Sequence, residues 1–238
     1  MPAIYNATNG QINGLNMPLA RLLPFSDIKG DDVLDLSGPV PTLQADLDDF
    51  ILRLPDVATA LDIEPSTSPY LDYGQHPETA VSIRKELAAR VKQVRPELDV
   101  GFYVLPEYGR GAVLDPDKKA VAYMAREVAY REVSPLLPSM YVSGYWKAGS
   151  DEVSFLPTWR ATMDLQVAYS TAVHHKPHPR VFIWDNARNW GSVNYEIMTA
   201  MLKYCRVRDL PVVAWSLTTN PNPMPWWIML AYWKHSVL

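Results

Sequence analysis

Short runs of β-branched, apolar and aromatic residues recur along this chain at intervals of about 30 to 40 residues, with helix-period stretches between them. The runs are Thr59–Glu64, Val100–Leu105, Ser139–Ser143, Val181–Trp184 and Pro211–Trp215, with a further candidate at Ala3–Ala7. Strands that alternate with helices pair in parallel, because a helical crossover returns the chain to the same end of the sheet. The expected fold is therefore α/β, a TIM-like (β/α) barrel. A complete eight-unit barrel takes about 250 residues. The readable strands fall short of eight in a chain of 238 residues, so six or seven units and an incomplete ring are expected.

The intervening stretches carry apolar stripes at helical spacing. Leu43, Leu47, Phe50, Ile51 and Leu54 make one, and Ile83, Leu87, Val91 and Val94 another. Asp115-Pro116 has the form of an N-cap followed by a first-turn proline, opening a helix with Val121, Met124 and Val128 on one side. Thr158–Val173 and Ser192–Arg206 read as two more helices. The stretch from Asn9 to Pro41 is rich in Gly, Asn, Pro and Asp; a short strand near Val33–Leu36 is one reading of it, a long loop the other. Trp226–Trp233 reads as a last helix packed on the barrel, too short to span a membrane. With no internal repeat, one domain over 1–238 is the simplest organisation, 1–41 being its least defined part.

Composition narrows the function. A net charge of -4 argues against the broad basic surface that sequence-independent nucleic-acid binding needs. The N-terminus lacks the basic and apolar regions of a secretory signal, and no apolar run reaches the roughly 18 residues of a membrane span. No membrane partner is expected, and a reducing, cytoplasmic setting is. The single cysteine, Cys205, excludes an internal disulfide and sits among residues at helical spacing, as a buried thiol would. Eight Trp and 13 Tyr exceed what a core of this size requires, and flat aromatic faces are what sugar rings stack on.

In Leu61-Asp62-Ile63-Glu64-Pro65, strand alternation puts Asp62 and Glu64 on one face and Leu61 and Ile63 on the other, with Pro65 ending the run. Two carboxylates then project together at the C-terminal end of a barrel strand, where barrel enzymes carry their active sites. Crowded acids raise one another's proton affinity, and burial among aromatics does the same, so one of them can stay protonated near neutral pH as a general acid. Cleavage of a glycosidic bond needs such a group. The bland alternative is a solvated strand end, or a pair neutralised by Arg or Lys.

The other strands also end in aromatic or polar residues: Tyr103, Tyr141, Trp184 before Asp185, and Trp215. Their repetition suggests one shared cleft. His174-His175-Lys176-Pro177-His178 offers three imidazoles, but prolines break the spacing and no carboxylate is adjacent, so neither a metal nor a cofactor is expected. No Gly-x-Ser-x-Gly elbow supports a serine hydrolase.

The order of Asp62-x-Glu64, Arg95-Pro96 leading into Gly101–Pro106, Leu137–Tyr141, Val181–Trp184 and Val213–Trp215 is similar to the catalytic barrel of the hyaluronidase family of glycoside hydrolases. The match runs from about Gly38 to Leu217 and consists of short strand motifs. The resemblance implies retaining hydrolysis assisted by the substrate's own N-acetyl group. It implies Glu64 as proton donor, Asp62 as the residue orienting the acetamido group, and Tyr103, Tyr141 and Trp215 as residues enclosing that sugar. The chain departs from the family in lacking disulfides, in a shorter N-terminal part, and in Pro65 where a second acid commonly follows the pair.

The expected partner is thus a glycan substrate. A non-catalytic glycan-binding or structural barrel is the competing reading, and a hydrolase of another bond using the same acids is a third. Edges left open by an incomplete barrel could be covered by pairing of two copies into a homo-oligomer.

Overall fold

The computed structural model describes residues 4–6, 20–24, 33–63, 68–103, 128–129, 131–133, 136, 141–143, 153, 155–157, 159–161, 163–164, 167, 180–184, 186–187, 191–192 and 195–215. In chain order the first elements are β1 (Ile4–Asn6), β2 (Ala20–Pro24), β3 (Leu34–Asp35), β4 (Thr42–Leu43), α1 (Leu47–Arg53) and β5 (Ala58–Asp62). A 3-10 turn at Pro69–Leu71 leads to α2 (Pro77–Val94) and β6 (Val100–Phe102). The remainder is β7 (Tyr141–Ser143), β8 (Arg180–Trp184), β9 (Asn186–Ala187), β10 (Gly191–Ser192), α3 (Tyr195–Val207) and β11 (Val212–Trp215). Two compact units divide the chain, one formed by residues 21–141 and one by residues 1–20 with 142–238.

In the unit of residues 21–141, β5 and β6 pair in parallel with Thr59 opposite Val100, Ala60 opposite Gly101 and Leu61 opposite Phe102. The sheet order is β2-β5-β6. Ala58, Thr59, Ala60, Leu61, Val100 and Phe102 are all buried, as expected of a parallel sheet covered on both faces. The Thr59 hydroxyl is satisfied locally, donating to the Val57 carbonyl at 2.9 Å.

The crossover between these strands is α2. Proline opens it at a position where its missing N–H costs nothing, Glu78 sits in the first turn and Lys92 in the last, matching the helix dipole. Its buried residues, Ala80, Ile83, Arg84, Leu87, Ala88 and Val91, repeat at three- and four-residue spacing and define the face laid inward. The Arg95 N–H closes the last turn on the Val91 carbonyl at 2.8 Å, and Pro96 stops the helix. The shorter α1 buries Leu47, Phe50 and Ile51 and is tied to α2 by Arg90, whose Nε donates to Asp48 at 2.5 Å while Nη2 reaches the second carboxylate oxygen.

The other unit holds a four-stranded sheet of order β1-β11-β8-β7. β1 pairs parallel to β11, and β11 parallel to β8 with Trp215 opposite Trp184. The antiparallel β9–β10 pair and α3 lie between β8 and β11 in the chain, so β8-α3-β11 is a second parallel crossover unit. Its core includes Trp159, Met163, Phe182, Val213 and, on α3, Met198, Leu202 and Cys205.

Mixed α/β organisation with parallel crossover units is what the sequence implies. The closed or nearly closed ring is not found among the described residues, whose strands form separate sheets of four, three, two and two. Other differences are local. β2 was not expected; the short strand near Val33–Leu36 is present as β3, paired antiparallel with β4. Val128, assigned to an apolar face, is 48% exposed, while Ala129 and Val133 are buried, so the inward face is turned by one residue. Helical backbone occurs at residues 153 and 155–157, upstream of the expected start at Thr158. The Asp115-Pro116 start, the His174–His178 run and the Trp226–Trp233 segment lie outside the described residues.

Candidate active site

β5 ends at Asp62, two residues before the alternation in the sequence suggests. Leu61 and Ile63, expected on the face opposite the two acids, are both buried. Glu64 lies outside the described residues, as do Glu107 and Asp185.

Beside β5, the backbone N–H of Tyr103 donates to the Leu61 carbonyl at 2.8 Å, one residue beyond the Leu61–Phe102 register pair. Asp62 and Tyr103 therefore follow at the same, C-terminal, ends of two adjacent parallel strands, and Tyr103 is buried there. In the other unit Trp184 and Trp215 are register partners and the last residues of β8 and β11. Tyr141 is the first residue of β7, not an end residue as the sequence suggests.

A buried arginine holds the chain just past β5. Arg84, on the inward face of α2 and only 5% exposed, donates from Nη2 to the Ile63 carbonyl at 2.7 Å. Its Nη1 donates to the Ala80 carbonyl at 2.9 Å and makes a long 3.5 Å contact with the Leu71 carbonyl. The guanidinium also lies over the Tyr73 ring, 4.4 Å from its centroid. An arginine in an apolar stripe ordinarily reads as a side chain reaching out to water, which is why spacing alone did not mark it.

The connection from β5 to α2 has its own local order. Asp72 Oδ1 accepts from the N–H groups of Gly74 at 2.7 Å and Gln75 at 3.0 Å, an arrangement typical of Asp in turns. Tyr70 and His76 stack with centroids 4.3 Å apart.

Other places offer less chemistry. Cys205 is fully buried, and that burial pushes its thiol well above the usual range, which disfavours the thiolate a nucleophile needs. A groove of about 410 Å³ on the outer side of α2 is lined by Pro77, Val81, Lys85, Val128 and Glu132, with Lys85 and Glu132 ion-paired at 2.5 Å.

No protein-family model and no curated protein matches this sequence. Solved structures do: the fold is one seen in hyaluronidases. Bee venom hyaluronidase, in a monoclinic crystal form, superimposes with a TM-score of 0.61 at 12% identity, over 100% of this chain and 96% of that one. The same enzyme in complex with a hyaluronic acid tetramer gives a TM-score of 0.52 at 13% identity, over 98% and 83%. A GH18 chitinase from Pseudoalteromonas aurantia aligns at 14% identity over 78% of this chain and 65% of its own, with a TM-score of 0.49. At such identities the likeness is one of fold.

Proposed function

We propose that this chain is a glycoside hydrolase of N-acetylated glycans, built on a TIM-like (β/α) barrel and working with retention through the substrate's own acetamido group. The observation that carries the reading is Asp62 as the last residue of a parallel strand, with Glu64 two residues further on in the sequence, in a chain with the fold of bee venom hyaluronidase, which has been seen with a hyaluronic acid tetramer. Glu64 gives its proton to the glycosidic oxygen as that bond breaks, while the acetamido oxygen attacks the anomeric carbon and Asp62 orients the acetamido group. Water then opens the cyclic intermediate with the Glu64 carboxylate as base, and two inversions leave the configuration retained. Tyr103, Tyr141, Trp184, Asp185 and Trp215 are the residues this reading assigns to binding the sugar.

The test is a panel of soluble N-acetylated glycans treated with the wild type and Glu64→Gln. An amide of nearly the same shape cannot give or take the proton, so turnover should fall by about 100-fold or more while fold and glycan binding persist. Equal turnover in both proteins, at equal melting temperature, removes Glu64 from the role. Binding by the wild type without any cleavage favours the glycan-binding barrel instead.

A further inference from the structure

We propose that Arg84 is a positioning residue for the acid pair: from α2 it fixes the Ile63 carbonyl, the main-chain group that stands between Asp62 and Glu64 in the chain. The inference rests on the glycosidase reading of those two carboxylates. A guanidinium is expensive to bury, because its donors lose water and must find acceptors inside. A residue such as Leu or Met would fill the same place on the α2 face, beside Ile83 and Leu87, without that demand. The Ala80 contact is to the helix's own backbone, four residues back, whereas the Nη2 bond reaches the chain beyond β5.

That hold is placed where it acts on both acids. Ile63 lies one residue beyond the end of β5, and its carbonyl accepts from Arg84 Nη2. The peptide unit is planar; the 2.7 Å bond from Arg84 to the Ile63 oxygen therefore orients the plane that contains the Glu64 nitrogen, and Asp62 is bonded to the other side of the same residue. The second contact, to Leu71, and the face of Tyr73 tie the middle of the same connection to the same guanidinium. Substrate-assisted cleavage needs the proton donor and the acetamido-orienting carboxylate in fixed relation, and displacement by about 1 Å can cost about 100-fold in rate. A lysine at this position keeps the charge but offers a point donor in place of the planar fork.

The experiment uses the full chain as wild type, Arg84→Lys and Arg84→Met. It has two readouts: amide hydrogen exchange by peptide, and kcat and KM on whichever N-acetylated glycan the wild type cleaves, well below each variant's Tm. For Arg84→Met, exchange in peptides spanning residues 58–67 should quicken by about tenfold, while residues 83–94 and 100–103 keep wild-type protection. Its kcat should fall by about 10- to 100-fold with KM little changed. Arg84→Lys should recover part of both, and carries the test alone where the Met variant does not fold. Wild-type exchange over 58–67, a uniform loosening that includes α2 and β6, or a kcat loss that only tracks the folded fraction would each overturn the proposal. A wild type that cleaves no glycan would remove the glycosidase reading, and the exchange readout would still decide whether Arg84 fixes this segment.

Discussion

The N–H of Tyr103 donates to the carbonyl of Leu61 at 2.8 Å, which sets Asp62 and Tyr103 as the next residues along two paired parallel strands. This backbone relationship brings one expected catalytic residue and one expected sugar-enclosing residue to the adjacent ends of two paired strands. The proposed mechanism gives Asp62 a role in orienting the substrate rather than in attack. Asp62→Asn should therefore lower kcat by about 10- to 100-fold and change glycan affinity much less. Steady-state kinetics beside equilibrium binding separate the two effects. A loss confined to affinity would make Asp62 a binding residue only.

The same mechanism takes its nucleophile from the sugar. Removing the N-acetyl group from a cleaved glycan, at matched length and salt, should abolish turnover even where the polymer still binds. The intramolecular attack has no substitute once the acetamido oxygen is gone. Comparable rates on acetylated and de-acetylated substrate would instead call for a direct nucleophile or an activated water, with Asp62, Asp185 and Glu107 as the carboxylates to consider.

The core packing around this strand end gives a stability expectation. Leu87 on α2 and Leu61 on β5 are each about 1% exposed. Truncating either to alanine should cost about 2–5 kcal/mol in urea unfolding, the lost transfer energy plus the cavity left behind. A cost below about 1 kcal/mol would mean that the site collapses freely around the missing methyl groups.

What the sequence made legible follows from which physical signals are local. Val100–Phe102, Arg180–Trp184 and Val212–Trp215 are dense in β-branched and aromatic residues, so strand character is written into each run. The α2 face is written in its three- and four-residue spacing. Ala20-Arg21-Leu22-Leu23-Pro24 has neither alternation nor β-branched residues; it is a strand because β5 offers it a partner, a non-local fact. Val128 is exposed and the buried positions are Ala129 and Val133; an alanine carries too little apolar surface to mark a face by residue type. Arg84 escaped because its partners, Ile63 and Leu71, are remote in sequence and accept through main-chain atoms that no residue type advertises. Of the candidate site, the strand positions of Asp62 and Tyr103 followed from their runs; the support behind Asp62 did not.

Asp209 is a further position where geometry and residue type disagree. It has a positive φ of 54° and caps α3: its N–H donates to the Arg206 carbonyl at 3.0 Å, and the Leu210 N–H to the Cys205 carbonyl at 2.8 Å. This is a Schellman cap, in which glycine is the favoured residue because a Cβ is disfavoured in the left-handed region. A carboxylate beside the negative end of a helix adds repulsion. Asp209→Gly should raise stability by about 0.5–1 kcal/mol despite the freer unfolded chain. Urea midpoints of the two proteins decide it, and a lower midpoint in the variant would show that the aspartate side chain has an interaction worth more than the strain.

The last expectation concerns alkaline pH and two neighbouring groups on α3. Burial raises the pKa of Tyr204, helped by its hydroxyl's 2.6 Å hydrogen bond to Asp164, and burial alone raises that of Cys205. In the unfolded chain these groups ionise near their ordinary values of 10.0 for the phenol and 9.0 for the thiol. Above those values the native state holds more protons than the unfolded state, so stability must fall as pH rises. The contribution is complete below about pH 9 and makes no demand on the acid side. The urea midpoint should therefore hold steady to about pH 8.5 and decline beyond it. Cys205→Ala should flatten the first part of the decline, and Tyr204→Phe the part above about pH 10, whatever each substitution does to stability at neutral pH. Variant curves running parallel to the wild type through this range would show that neither group carries the alkaline transition.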